Sequence, residues 1–76
     1  MDNLTNFERL IFEALQKKQG ETVTRDEIFV ALYPDGKQTN SNGIEVFVRR
    51  LRVKLGDTAT ISTVRGVGYR LEQKAA

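Results

Sequence analysis

The sequence predicts an α+β fold, three helices followed by a C-terminal β-hairpin, and three observations predict it. Two Thr-x-x-Glu starts, Thr5 to Glu8 and Thr24 to Glu27, each stand in front of apolar residues at helical spacing. A third amphipathic stretch, Ile44–Leu55, carries apolar residues on one side and cations on the other. After it, a β-branched run (residues 60–64) and a short return (residues 69–71) flank a turn cornered by Gly66 and Gly68.

Each element has its own justification. In the first helix Thr5 and Glu8 form a capping box, and Phe7, Leu10, Ile11, Ala14 and Leu15 make one stripe. Lys17 and Lys18 suit the C-terminal end of the helix dipole, and Gly20 is the expected stop. The second helix starts at Thr24 with Asp26 and Glu27 in its first turn, where carboxylates favour the dipole. Ile28 and Leu32 face the core, and Pro34 ends the helix. Val23, just before the cap, is placed to pair with a strand elsewhere.

Residues 34–43 form a polar loop rich in turn formers and long for a helix–helix connection. A plain surface loop and a partner-contact loop both fit it, and the sequence alone does not separate them.

The third helix carries the functional signal. With Ile44 at zero and about 100° per residue, Val48, Leu51 and Leu55 fall within about 40° of it. That is the core stripe. Val46, Arg49, Arg50 and Val53 fall on the opposite face, with Glu45, Arg52 and Lys54 on the flanks. Two valines beside two arginines are unusual for a face that meets only water. They make sense in a major groove, where a valine meets thymine methyls and an arginine reaches guanine O6 and N7. Val46 lies near the N-terminal end, the end that enters the groove in helix-turn-helix proteins. Val53, two turns on, is assigned no role. Arg52 and Lys54 are expected on the two phosphate walls. Phe47 sits between the core and the exposed face; partial burial and stacking on sugar or base edges both fit it.

Ile61 alternates with Thr63 in the hairpin, and Tyr69 with Leu71, so that one face is apolar. Gly66 and Gly68 are expected to keep the tip thin, which presents Arg65 to a narrow minor groove. The Gly-x-Gly pair is no dinucleotide loop, because no helix follows it.

Composition bounds the rest. Seventy-six residues make one domain, expected over 4–72 with a tail over 73–76. Hydrophobic residues at 39% and charged residues at 29% fit a globular chain. With no Cys and no His, neither a disulfide framework nor a thiolate or imidazole metal site is expected, and no cofactor. The carboxylates stand at caps and helix starts, so an enzyme is not expected. Nothing resembles a signal peptide or a membrane span, so a cytoplasmic location and no membrane partner are expected. The net charge of +2 is uneven. Residues 1–43 hold five cations against seven anions, and residues 44–76 hold seven against three. The excess therefore coincides with the third helix and the hairpin, which points to double-stranded DNA.

These residues resemble a known family, the winged-helix DNA-binding domain of the OmpR/PhoB response regulators. The motifs are Leu4-Thr5-Asn6-Phe7-Glu8, Thr24-Arg25, Leu51-Arg52-Val53-Lys54-Leu55 and Thr63-Val64-Arg65-Gly66-Val67-Gly68-Tyr69, in the family's order and spacing. Ser41-Asn42 followed by Glu45-Val46 looks most like the PmrA/QseB branch. The resemblance implies a winged helix-turn-helix fold and a sequence-specific transcription regulator of a two-component system. It implies DNA-facing roles for Asn42, Val46, Arg49 and Arg50, a backbone-holding role for Arg52, and minor-groove entry by Arg65 beside Gly66. Thr63 and Tyr69 correspond to wing positions near phosphate or packed in the hairpin. The resemblance also implies RNA polymerase contact through loop 34–43 and a tandem dimer on DNA. Phe47 stands where the family usually has a histidine. Met1 lies directly before the first helix, so neither the family's receiver domain nor its N-terminal sheet is expected here, and regulation by phosphorylation is not carried over. The second class of function is a free-standing winged helix that binds protein, as an adaptor or an antagonist of a related regulator or of RNA polymerase.

Overall fold

Local chemistry starts each of the first two helices. In the computed structural model, which describes residues 4–73, the Glu8 carboxylate accepts the Thr5 amide at 3.0 Å while the Glu8 amide donates to the Thr5 hydroxyl at 3.5 Å. The second box repeats this at Thr24 and Glu27, at 3.2 and 3.1 Å. They open α1 (Asn6–Lys17) and α2 (Arg25–Leu32). The third helix, α3 (Ile44–Leu55), has Gly43 at its N-cap and no side-chain cap. Its start is held instead by packing, since Ile44, Phe47, Val48, Leu51 and Leu55 are all buried.

The sheet has three strands, where a two-stranded hairpin and only a loose pairing of Val23 are expected from the sequence. They are β1 (Thr22–Thr24), β2 (Ala59–Val64) and β3 (Gly68–Gln73), in the order β1-β3-β2 and antiparallel throughout. Val23 pairs with Tyr69. The return strand is longer than the expected 69–71 and runs to Gln73, one residue past the expected domain end at 72. The rest of the expected tail, residues 74–76, lies outside the described residues.

Gly68 explains why β1 can join. A Cβ there would overlap the Val23 carbonyl oxygen and lie 2.8 Å from the Thr24 Cα. Gly68 therefore serves close strand approach, not the thin tip expected of it. The tip conformation falls to Gly66, at φ +74.

The core lies where the three helices meet the inner face of the sheet. Ile11, Leu15, Ile28, Leu51 and Leu71 are completely buried. An aromatic group extends it: Phe7 meets Tyr33 and Phe47 edge-on, with ring centroids 5.5 and 5.2 Å apart. Phe47, for which partial burial and a DNA-facing role were both open, is only 3% exposed. The DNA-facing role is corrected to burial. Phe7 of α1 reaches across to Phe47 and turns a boundary position of α3 into core.

Candidate nucleic-acid interface

The outward face of α3 is open. Arg49 and Arg50 are exposed, Val46 is half-buried and Val53 is 78% exposed. Among the described residues, neither arginine has a hydrogen bond or ion pair. Their charge faces solvent because the opposite stripe of α3 is anchored in the core.

The flanks behave differently. Lys54 was expected on a phosphate wall. Its ammonium pairs with the Glu8 carboxylate at 2.7 Å, and the Glu8 side chain is 1% exposed. Burial alone would push the Glu8 carboxyl up. The bond from Lys54, the Thr5 amide and the nearby positive charge outweigh that and hold it below the usual glutamate range. Arg52 was also expected on the DNA backbone. Its Nε and Nη2 donate to the Ile61 carbonyl oxygen at 3.0 and 2.8 Å, and Nη2 donates to Thr63 Oγ1 at 2.8 Å. Each of these two exposed cations thus also has a partner inside the domain, which a helical wheel alone does not show.

Glu45, on the same helix, bonds the Arg25 guanidinium. That bond is the main reason its carboxyl is held low. In the sequence Arg25 stands out only as part of the Thr24-Arg25 motif. It joins the start of α2 to the start of α3, and its amide also donates to the Val67 carbonyl oxygen at 3.1 Å. No local pattern announces these contacts, since Arg25 and Glu45 are 20 residues apart.

The hairpin turn lies beside the start of α2, while strand β2 below it is bonded to α3 through Arg52. The Val67 amide donates to the Val64 carbonyl oxygen at 3.0 Å and closes the turn. Arg65 and Gly66 are exposed at the tip. Val67, 43% exposed, shares the tip with them and was not singled out from the sequence. Thr63 is exposed, and its hydroxyl is engaged by Arg52. Tyr69 is 5% exposed, with the Arg52 guanidinium 5.9 Å from its ring centroid. The expectation of a DNA-facing Tyr69 is therefore corrected to its alternative, packing in the hairpin. Asn42 is half-buried in front of α3, and its amide donates to Asn40 Oδ1 at 2.9 Å. The structure thus brings Val46, Arg49, Arg50, Arg65 and Gly66 to the open surface of α3 and the hairpin tip, with Asn42 and Thr63 at its edges.

Among the described residues there is no pocket-like metal cluster of acidic or imidazole ligands, and no helix is long and apolar enough to cross a membrane.

Three helices, the last presenting a basic face beside a hairpin that extends from a three-stranded sheet, make a winged helix-turn-helix domain. The chain belongs to the family described as "Transcriptional regulatory protein, C terminal", which matches residues 3–71. This is the OmpR/PhoB type of effector domain, a family of transcription regulators and not of enzymes. The chain is 40% identical over 72 residues to the transcriptional regulatory protein PhoP of Escherichia coli K12 and to the virulence transcriptional regulatory protein PhoP of Salmonella typhimurium LT2. The alignments cover 91% of this chain and 32% of those proteins, so it spans about a third of their length. The fold is similar to the DNA-binding domain of Bacillus subtilis CssR, with TM-score 0.73 and 27% identity, covering 91% of this chain and 77% of that one. It is also similar to the C-terminal domain of the nisin resistance regulator NsrR, a lantibiotic response regulator. There the TM-score is 0.71 at 30% identity, with 95% of this chain and 76% of that one covered.

Proposed function

We propose that this domain binds double-stranded DNA in a sequence-specific way as part of a cytoplasmic transcription regulator. In this reading α3 lies in the major groove and the β2–β3 wing reaches the adjacent minor groove. The observation that carries it is the set of three exposed arginines without partners among the described residues, Arg49, Arg50 and Arg65, on one helix face and the neighbouring hairpin tip. With its side chains α3 is about 10–12 Å across, and a major groove about 12 Å wide admits it. Val46 and the two arginines read base edges; Arg65, beside Gly66, enters the minor groove. Asn42 and Thr63 lie at the rim of the same surface. The family resemblance adds RNA polymerase as the partner of loop 34–43, and pairs of domains on tandem half-sites about one helical turn apart.

Salt dependence of DNA binding tests the reading. Each neutralised phosphate contributes about −0.9 to the slope of log affinity against log salt. Three exposed arginines in the two grooves, without partners among the described residues, predict a slope clearly below zero. A slope near zero supports the other class of function, a winged helix that acts as a protein-binding adaptor or antagonist. Within the DNA reading, Arg65→Ala weakens binding most on operators with an A·T-rich flank, where the minor groove is narrowest. Equal loss on matched A·T and G·C flanks removes the wing from specificity.

A further inference from the structure

Arg52 leaves α3 on the side of the wing and grips both of its strands. Two of its nitrogens hold the Ile61 carbonyl oxygen, one also holds the Thr63 hydroxyl, and the guanidinium lies over the Tyr69 ring. Thr63 and Tyr69 are register partners across the hairpin, one pair below Val64 and Gly68 at the turn. Arg65 stands two residues beyond Thr63 on the same strand path. The planar fork of an arginine suits this task, because it presents several donors at fixed angles to two acceptors.

We propose that Arg52 is a positioning residue, which rests on the DNA-binding reading. It fixes the wing against the recognition helix, so that Arg65 reaches the minor groove when Arg49 and Arg50 are in the major groove. β1 and the Arg25 amide already hold β3 and Val67, so it is the β2 side of the wing that would otherwise have to be ordered on binding, which weakens affinity. The Arg52 bonds order it beforehand. The residue therefore acts on DNA through the wing, and its charge is not what DNA reads.

The test uses Arg52→Lys and Arg52→Gln in the full chain. Lysine keeps the charge and the helix propensity but cannot reproduce the fork. Three quantities are measured: the salt slope of DNA binding, the coupling of each variant to Arg65→Ala, and amide exchange of residues 61–67 without DNA. Arg52→Lys is expected to bind about tenfold more weakly with an unchanged slope. Arg65→Ala should then cost less in the Arg52→Lys background than in the wild type, and the wing amides should exchange faster in the free variant. Arg52→Lys with wild-type affinity overturns the proposal. So does Arg52→Gln with a slope shallower by about 0.9, which makes Arg52 a phosphate contact. Full additivity of Arg52→Lys and Arg65→Ala also overturns it. If Arg52→Gln does not fold, Arg52→Lys carries the test by itself. Wild-type protein that shows no salt-dependent DNA binding overturns the DNA reading and this inference together, and that result is visible before any mutation is made.

Discussion

The outward face of α3 and its two flanks carry the same kind of charge and use it in opposite ways. Arg49 and Arg50 project from the outward face with no partner among the described residues. Lys54 on one flank reaches back to Glu8 in α1, and Arg52 on the other reaches across to the wing. The flank cations hold the domain in shape, and the outward cations remain available to a ligand. A count of basic residues on a helix therefore overstates the charge that can meet DNA. What decides is whether a neighbouring element offers an acceptor.

The largest effect expected from this contrast is on stability, at Lys54. Glu8 is fully buried, and its Oε2 has no hydrogen-bond partner among the described residues. Lys54→Met would leave a buried carboxylate without its counter-ion. The cost should be about 2–3 kcal/mol, below that of a fully buried pair because Lys54 is partly in water. Urea unfolding measures it. The same variant should keep the wild-type salt slope on DNA. A shallower slope with unchanged stability would move Lys54 back to a phosphate wall and erase the contrast.

Arg50→Ala should do the reverse. Its unfolding free energy should stay within about 0.5 kcal/mol of wild type, since an exposed residue without partners is removed. Its best DNA site should weaken by about 1–3 kcal/mol, with base preference relaxed at one position. Competition between sites that differ at single base pairs measures this. Uniform loss over all sites would make Arg50 a backbone contact.

The features legible in the sequence were local. The capping boxes at Thr5 and Thr24 span three residues, and the Val48, Leu51 and Leu55 stripe repeats within one helix, so spacing alone reports them. The hairpin was legible for the same reason. The features that were missed depend on residues far apart in the chain. Lys54 and Glu8 are separated by 46 positions, and a helical wheel places Lys54 on a flank without saying what stands beside that flank. Glu8 itself was read as a cap, which it is, but the cap also brings its carboxylate to Lys54. Strand β1 has only three residues, too few to show alternation, and its partner β3, the central strand of the sheet, lies more than forty positions along the chain. Phe47 was ambiguous because its burial depends on Phe7. The outward face of α3 was legible because it depends only on the side of the helix that the core takes.

The smallest effect concerns Glu45, where a pair joins helix starts but stays in water. Its carboxylate bonds Arg25, and both side chains are about half exposed, 53% and 48%. Solvent screens such a pair, so Glu45→Gln should lower stability at neutral pH by about 0.5 kcal/mol or less. The sign with pH follows from the lowered carboxyl. A group whose folded value lies below its unfolded one stabilises above the unfolded value, about 4.3 for glutamate, and loses that contribution as pH falls through the folded value. Wild type and Glu45→Gln should therefore converge in stability as the solution is acidified below about pH 4. Glu8 has the same sign, and its pair remains intact in this variant, so the acid limb of the stability curve should persist. On DNA the substitution removes a negative charge from the flank of α3 and releases the Arg25 guanidinium. Non-specific affinity should rise slightly, by less than about 1 kcal/mol, and more at low salt. Urea unfolding at neutral and acid pH, with DNA titrations at two salt concentrations, checks both parts. If Glu45→Gln destabilises the domain more than Lys54→Met does, the Arg25–Glu45 link and not the Glu8–Lys54 pair holds the recognition helix in place, and the division between structural flanks and a free outward face must be redrawn around the N-terminal end of α3.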